Sequence, residues 1–175
     1  PMVAAVVASS TTMPSLVLPR VGPKIVVSAG FLVAAAGMAL LTRLELDSTY
    51  AAHILPGLIL LGLGLGAVMT TAFQGATSGL HHDDAGVASA LINTGQQIGG
   101  SISTALLTTV ASSATTDYLT SHKPGALAAA QAGVEGYTAT LAWGSGFFVV
   151  GAVIAAFLIP NRALEPSEGE PVMAH

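Results

Sequence analysis

The chain has 175 residues and a net charge of −4, yet only 8% of its residues are charged and its mean hydropathy is +0.72. Soluble proteins carry charge on about 25% of their residues, so five Lys/Arg and nine Asp/Glu could not cover a water-exposed surface of this size. The acidic balance excludes the basic surface of a nucleic-acid-binding protein. The absence of cysteine excludes disulfides, Cys-based metal sites and thiol catalysis.

Apolar segments in chain order predict five membrane-spanning helices, at residues 2–18, 25–42, 52–77, 86–113 and 137–160. Residues 25–42 have the minimum length of a membrane span, about 18 residues, and the later segments are longer. The first segment is short, contains Pro14, and starts with Pro1 inside an apolar run, so we expect a fragment of a longer protein. The sequence thus predicts an all-α, polytopic membrane helical bundle followed by a disordered tail, residues 161–175.

A short basic turn, Arg20-Val21-Gly22-Pro23-Lys24, separates the first two predicted spans. Lys and Arg are concentrated in the cytoplasmic loops of membrane proteins. With this turn inside the cell, alternation of the spans also places Arg162 inside, and it places Arg43 and Lys123 outside. The distribution predicts a multi-pass protein of the inner membrane with a cytoplasmic C-terminus.

The third span contains a glycine run, Gly62-Leu63-Gly64-Leu65-Gly66. A phosphate-binding loop is one interpretation, but the spacing of a dinucleotide-binding motif, its preceding strand and its later acidic residue are all missing. Close packing of this helix against its neighbours is the interpretation that the sequence favours.

The segment 86–113 carries no charged residue and sorts into distinct faces when it is wound as a helix. One face is apolar and consists of Leu91, Ile98, Ile102 and Leu106. The opposite face is polar and consists of Asn93, Gln97, Gly100, Thr104 and Thr108, with Gln96 at its margin. Between them lies a ridge of small residues at four-residue spacing, as in closely packed membrane helices, formed by Gly95, Gly99 and Ser103.

The carboxamides of Asn93, Gln96 and Gln97 are the groups that are hardest to place in a membrane. Hydrogen bonding to neighbouring helices would satisfy them, and such bonds contribute about 0.6 kcal/mol each on average. Alternatively, they line a pathway for a solute, together with Thr104 and with Gln74 of the preceding span. Both interpretations remain open on the sequence alone.

Other polar groups offer no chemistry that the sequence supports. The group His81-His82-Asp83-Asp84 matches no metal-ligand spacing, and a turn that caps the next helix is the favoured interpretation. Gly144-Ser145-Gly146 could suggest an intramembrane serine protease, but a base is missing and helix packing is favoured. No ionisable residue lies well inside a span, so we expect no proton relay, catalytic residue, metal site or cofactor in this chain.

One stretch of the chain combines AGVASALINT at residues 85–94 with QIGG at 97–100 and Ala105. This stretch resembles the penultimate helix of the fourteen-helix drug:proton antiporters of the major facilitator superfamily. Arg20, Gly22 and Lys24 resemble a degenerate copy of the superfamily's basic cytoplasmic-loop motif, with Pro19 where its first copy carries Asp. Two positions differ, because family members often carry Arg at the position of Gln96 and Gly at that of Ser103.

This resemblance covers nearly the whole chain and implies the last five helices of such an exporter. It implies export of drugs or amphipathic metabolites by alternating access, driven by protons whose coupling residues lie in the missing N-terminal helices. The implied partners are the lipid bilayer, those missing helices, the substrate and protons.

The alternative from another class is a small, complete five-span membrane protein that acts as an assembly or interaction partner. A membrane enzyme would need converging ionisable residues, and the sequence has none.

Overall fold

A computed structural model describes residues 1–43, 50–77, 82–123 and 125–160, and all regular structure in these residues is helical. These described residues form six α-helices in chain order: α1 (Met2–Thr12), α2 (Leu18–Val21), α3 (Pro23–Leu41), α4 (Leu55–Thr77), α5 (His82–Ser121) and α6 (Ala126–Leu158). Single π-helical turns precede two of them, at Met13–Val17 before α2 and at Tyr50–Ile54 before α4. The predicted all-α fold class is therefore confirmed.

The first span continues through Pro14 instead of ending near it. Proline lacks an N–H group and its ring clashes with the carbonyl one turn earlier, which disrupts a regular α-helix. Here Pro14 lies in the first turn of the wider π-helical segment Met13–Val17, which accommodates the ring. The resulting span, Met2–Val21, has 20 residues and is long enough to cross a membrane, unlike the shorter segment that the sequence predicted.

The basic turn between α2 and α3 is formed by Gly22. Its φ of 79° and ψ of 162° lie in a region that residues with a side chain rarely adopt. The Gly22 N–H donates to the carbonyl of Leu18, which ends α2, and Pro23 occupies the start of α3. Glycine followed by proline therefore reverses the chain within one residue, so that α3 starts directly where the first span ends.

Helix α4 packs between α1 and α3 through its glycine run, as the packing interpretation predicted. A methyl group added at Gly62 or Gly66 would come within less than 3.0 Å of atoms of α1. One added at Gly64, on the other side of α4, would come equally close to Ala34 of α3. The glycines thus let the backbones of three helices approach closely. In a membrane, such close van der Waals packing stabilises helix association, because lipid provides no hydrophobic driving force between helices.

Hydroxyl groups reinforce these interfaces. Ser9 is buried, with 1% of its surface exposed, and its Oγ donates to the carbonyl of Leu63 at 2.7 Å, which joins α1 to α4. Ser145 Oγ donates to the carbonyl of Ala35 at 3.0 Å, which joins α6 to α3. Gly144 is buried beside Met38 at the same contact. Packing is therefore confirmed for Gly144 and Ser145.

Helices α5 and α6 form a long antiparallel hairpin that takes in most of residues 114–136, the polar stretch between the fourth and fifth predicted spans. Helix α5 continues to Ser121 and α6 begins at Ala126, so the two contain 40 and 33 residues. Polar side chains in this stretch bond across the hairpin. Thr115 Oγ1 donates to the carbonyl of Ala132 at 3.2 Å, and the Tyr118 hydroxyl donates to Gln131 Oε1 at 2.8 Å. These hydrogen bonds satisfy polar groups of both helices, so α5 and α6 continue through the polar stretch.

Four helical segments within the described residues are long and apolar enough to cross a membrane: Met2–Val21, Pro23–Leu41, Leu55–Ala76 and Leu127–Leu158. The sequence predicted five. Helix α5 is long enough, since 40 residues extend about 60 Å, but its amide and hydroxyl side chains lower its hydropathy. The predicted tail, residues 161–175, lies outside the described residues.

Candidate functional site

The amide face of α5 is open in the structure. Asn93 and Gln97 are both exposed, and neither carboxamide has a hydrogen-bond partner among the described residues. Thr104 is exposed as well, and its Oγ1 donates to the carbonyl of Gly100 at 2.8 Å, within its own helix. The face therefore offers the donors and acceptors of two carboxamides to whatever lies against it.

Gln96 contacts the preceding helix. Its Nε2 donates to Sδ of Met69 on α4 at 3.2 Å. Met69 is 41% exposed, so the contact lies at the surface of the chain and not in its core. A thioether is a weak hydrogen-bond acceptor, so this bond is weaker than one to an oxygen atom. The contact places the amide face of α5 beside the Met69 side of α4.

Gln74 was predicted to extend this polar surface on α4. It is half-buried, and its position five residues after Met69 turns it about 140° around the helix. The side of α4 that carries Met69 therefore differs from the side that carries Gln74. The role of Gln74 in a solute pathway stays a prediction.

The small-residue ridge of α5 has no neighbour in the described part of the chain. A methyl group added at Gly95 or Gly99 would find no described atom within 4 Å, whereas Ser103 is half-buried. The apolar face of the same segment is uncovered too, since Leu91 and Ile98 are 68% and 57% exposed. The ridge stays a predicted packing surface, because no described helix packs against Gly95 or Gly99.

The C-terminal part of α5 packs closely against α6. Besides the bonds of Thr115 and Tyr118, a side chain at Gly136 of α6 would collide with Thr115 and with the carbonyl of Ala111. Thr140 of α6 donates to the carbonyl of Leu107 at 3.5 Å. Residues 107–118 are thus clamped to α6, and the segment 91–102, which carries the amides, projects from that clamp.

The predicted cytoplasmic-loop motif forms the turn described above. Arg20 is exposed in the last turn of α2, where a cation is favourable near the helix C-terminus, and Lys24 is half-buried. The start of α3 lies beside the end of α6, because Val27 packs with Ala155 and Ile159. The basic turn and the end of the last span are therefore on the same side of the bundle.

Other parts of the described chain provide no competing site. No group of three His, Asp or Glu that could hold a metal occurs in the residues that were described, and His81 lies outside them. A shallow groove of about 400 Å³ on α6 is apolar and is lined by residues between Ala142 and Val150, including Trp143 and Phe147. None of the predicted cavity residues lines this groove.

Two features escaped prediction from the sequence. Ser28 Oγ is buried on α3 and has no hydrogen-bond partner among the described residues, which no pattern in the sequence indicates. The contact between Gln96 and Met69 was also not predicted, although both residues lie near the polar positions that the helical periodicity singled out. Periodicity gives the face of each helix, but it does not give the rotation of one helix relative to the next.

No protein-family model matches the chain. Over 164 residues, 93% of its length, the chain is 40% identical to the puromycin resistance protein pur8 of Streptomyces alboniger. Over 96 residues it is 38% identical to the cephamycin export protein CmcT of Amycolatopsis lactamdurans. These alignments cover 33% and 20% of the two relatives, so the chain spans a third or less of their length. The chain is a multi-pass helical membrane protein, similar over nearly its whole length to part of an antibiotic resistance protein.

Proposed function

We propose that this chain forms the last membrane helices of a proton-coupled exporter of drugs or amphipathic metabolites that works by alternating access. Two relatives named for antibiotic resistance and antibiotic export support the general function. The motifs of α5 and of the basic turn support assignment to the fourteen-helix drug:proton antiporters of the major facilitator superfamily. The function is transport and not catalysis.

The open amide face of α5 is the observation that carries this function. A carboxamide that faced lipid would be unsatisfied, at a cost of several kcal/mol for a group of this kind. Asn93 and Gln97 are exposed on α5, which is held by its clamp to α6 and by the contact of Gln96 with Met69. The arrangement fits a wall of a polar cavity that other helices complete, with Asn93, Gln97, Gln96 and Thr104 toward the substrate.

The remainder of the exporter supplies what this chain lacks. Among the described spans, Leu127–Leu158 carries the exposed Glu135 eight residues after its start, whereas Arg20 and Lys24 lie at the ends of theirs. We assign proton coupling to further helices of the exporter. Transporters of this architecture rock two helical halves about a site near the membrane midplane, and these helices belong to one such half. The uncovered ridge at Gly95 and Gly99 then packs against a helix of the same exporter.

The orientation follows from the basic turn. The start of α3 lies beside the end of α6. A cytoplasmic Arg20–Lys24 turn therefore places the C-terminus on the cytoplasmic side of the inner membrane. The hairpin end near Ser121 then faces the outside.

Alanine substitutions test the cavity assignment. In the native gene product that carries this chain, Asn93→Ala and Gln97→Ala should change the relative resistance to puromycin and to a cephamycin several-fold. Protein abundance in the membrane, measured by quantitative immunoblotting, should stay near that of the wild type. The matched controls are Leu91→Ala and Ile98→Ala, which truncate the apolar face of the same helix and should leave the drug profile unchanged. An unchanged profile for both amide variants, or loss of the protein itself, would assign the amides to helix packing.

A further inference from the structure

Building on the proposed export function, we propose that Gln96 and Met69 form a drug-binding pair. In this pair, the Gln96 amide exchanges its thioether partner for an acceptor oxygen or nitrogen of the drug. The released Met69 side chain then packs against an aromatic ring of the same drug. Met69 thereby becomes a specificity-determining residue on α4, facing the amides of α5.

The geometry of the contact supports an exchange. Gln96 Nε2 and Met69 Sδ are 3.2 Å apart and join two different helices, and both side chains are exposed. The N–H group thus already points across the boundary between α4 and α5, where a ligand could reach it. A carbonyl oxygen accepts a hydrogen bond more strongly than a thioether sulfur does, so exchange toward a drug oxygen is favourable.

The two residues suit complementary parts of one molecule. The unbranched methionine side chain has three rotatable bonds and a polarisable sulfur, and contacts between sulfur and an aromatic ring are favourable. The carboxamides of Gln96, Asn93 and Gln97 supply donors and acceptors along about one turn of α5. The pair therefore recognises an aromatic ring next to a hydrogen-bond acceptor.

The surroundings set the charge preference. Neither α4 nor residues 85–116 of α5 carry Asp, Glu, Lys or Arg, so no side chain of these segments attracts a drug by its charge. Recognition at this pair depends on hydrogen bonding and dispersion. The pair therefore selects amphipathic drugs that carry an uncharged hydrogen-bond acceptor next to an aromatic ring.

Cross-linking tests whether a drug enters between the two residues. Because the chain contains no cysteine, the pair Met69→Cys/Gln96→Cys can be introduced into the native gene product after any cysteine elsewhere has been changed to serine. A short bifunctional thiol reagent should join the two positions, and saturating puromycin, which has aromatic rings and acceptor atoms, should slow the reaction at least threefold. The control pair Thr115→Cys/Ala132→Cys lies in the α5–α6 clamp, and its reaction should not respond to puromycin.

Transport kinetics test the two side chains separately. Gln96→Leu should raise the KM for puromycin about fivefold, the equivalent of one net hydrogen bond of about 1 kcal/mol, with little change in kcat. Met69→Leu keeps the volume but removes the sulfur, and it should change the preference between aromatic and non-aromatic drugs.

The outcomes separate this pair from the general function. If the wild-type protein exports puromycin but the drug does not affect cross-linking of the 69/96 pair, or Gln96→Leu leaves the KM unchanged, the drug-binding pair is refuted and export stands. If the wild-type protein exports neither puromycin nor a cephamycin, both proposals are refuted.

Discussion

Ser9 and Gln96 show two different uses of polar side chains in this molecule. Ser9 is buried and bonds the carbonyl of Leu63, between two glycines that bring α1 and α4 together. Its short side chain reaches only the neighbouring backbone, so its role is packing. Gln96 is long and exposed, and it reaches across to a different helix with a donor that a stronger acceptor could take over. The length and the exposure of the side chain therefore distinguish Ser9, which has a packing role, from Gln96, which belongs to the candidate site.

The glycine run on α4 leads to a prediction at the residue scale. Gly64→Ala should destabilise the protein by about 1–3 kcal/mol, because the added methyl group collides with backbone and side-chain atoms of Ala34. The thermal unfolding of the protein in detergent, followed by size-exclusion chromatography, measures this loss. Gly146→Ala is the matched control, because a methyl group there meets no described atom within 4 Å. Equal unfolding temperatures for the two variants would contradict the close approach of α3 and α4.

At this scale, the sequence was a good guide to packing and a poor guide to contacts. The glycine run and Gly22 could be assigned to a helix interface and a tight turn because glycine has a distinctive backbone and no side chain. The partner of Gln96 could not be predicted, because it depends on how α4 and α5 are rotated and shifted relative to each other. Periodicity along one helix contains no information on that rotation.

At the scale of helices, the α5–α6 hairpin shows why a polar stretch need not be a loop. Residues 114–136 contain charged and hydroxyl side chains, which favour a loop when each residue is considered alone. In the structure, Tyr118 and Gln131 are 13 positions apart and bond each other across the hairpin. The alanine-rich start of α6 adds high helix propensity. Hydrogen bonds between the two helices thus keep a polar stretch helical that residue composition alone would assign to a loop. A single sequence does not show which residues make these contacts.

Gly136 provides the test of the clamp. Gly136→Leu should push α6 away from Ala111 and Thr115 and weaken the attachment of α5. Cross-linking of the Thr115→Cys/Ala132→Cys pair should then fall several-fold. Gly133→Leu is the control on the same helix, since a side chain at that position meets no described atom within 4 Å. If cross-linking survives in the Gly136 variant, the close contact between the two helices is refuted.

At the scale of the whole molecule, the chain divides into a packed group and an attached helix. Helices α1, α4, α3 and α6 pack side by side in that order, with glycine and serine contacts between neighbours. Helix α5 joins them through its clamp to α6 and through Gln96. Composition and segment length together predicted the all-helical membrane fold, because so few charges exclude a water-exposed surface and apolar segments of about 18 residues or more can span a membrane as helices. Four segments of the described residues have the length and hydropathy of a membrane span, and a fifth crossing by α5 stays a prediction that its length favours and its polarity does not.

The uncovered middle of α5 leads to the central claim. Apolar, small and amide faces of one segment are all exposed around residues 91–102, so each needs a different neighbour. Under the proposed function, lipid covers the apolar face, another helix of the exporter packs on the ridge, and a polar cavity faces the amides. A drug exporter contains all three environments.

Uptake of radiolabelled puromycin into energised cells tests this claim most directly. Cells that produce the native gene product carrying this chain should accumulate several-fold less puromycin than cells without it, and a protonophore should abolish the difference. The double variant Asn93→Ala/Gln97→Ala should restore accumulation for puromycin at normal membrane abundance. Accumulation that is the same with and without the protein, or that the protonophore leaves unchanged, would contradict proton-driven drug export by this protein.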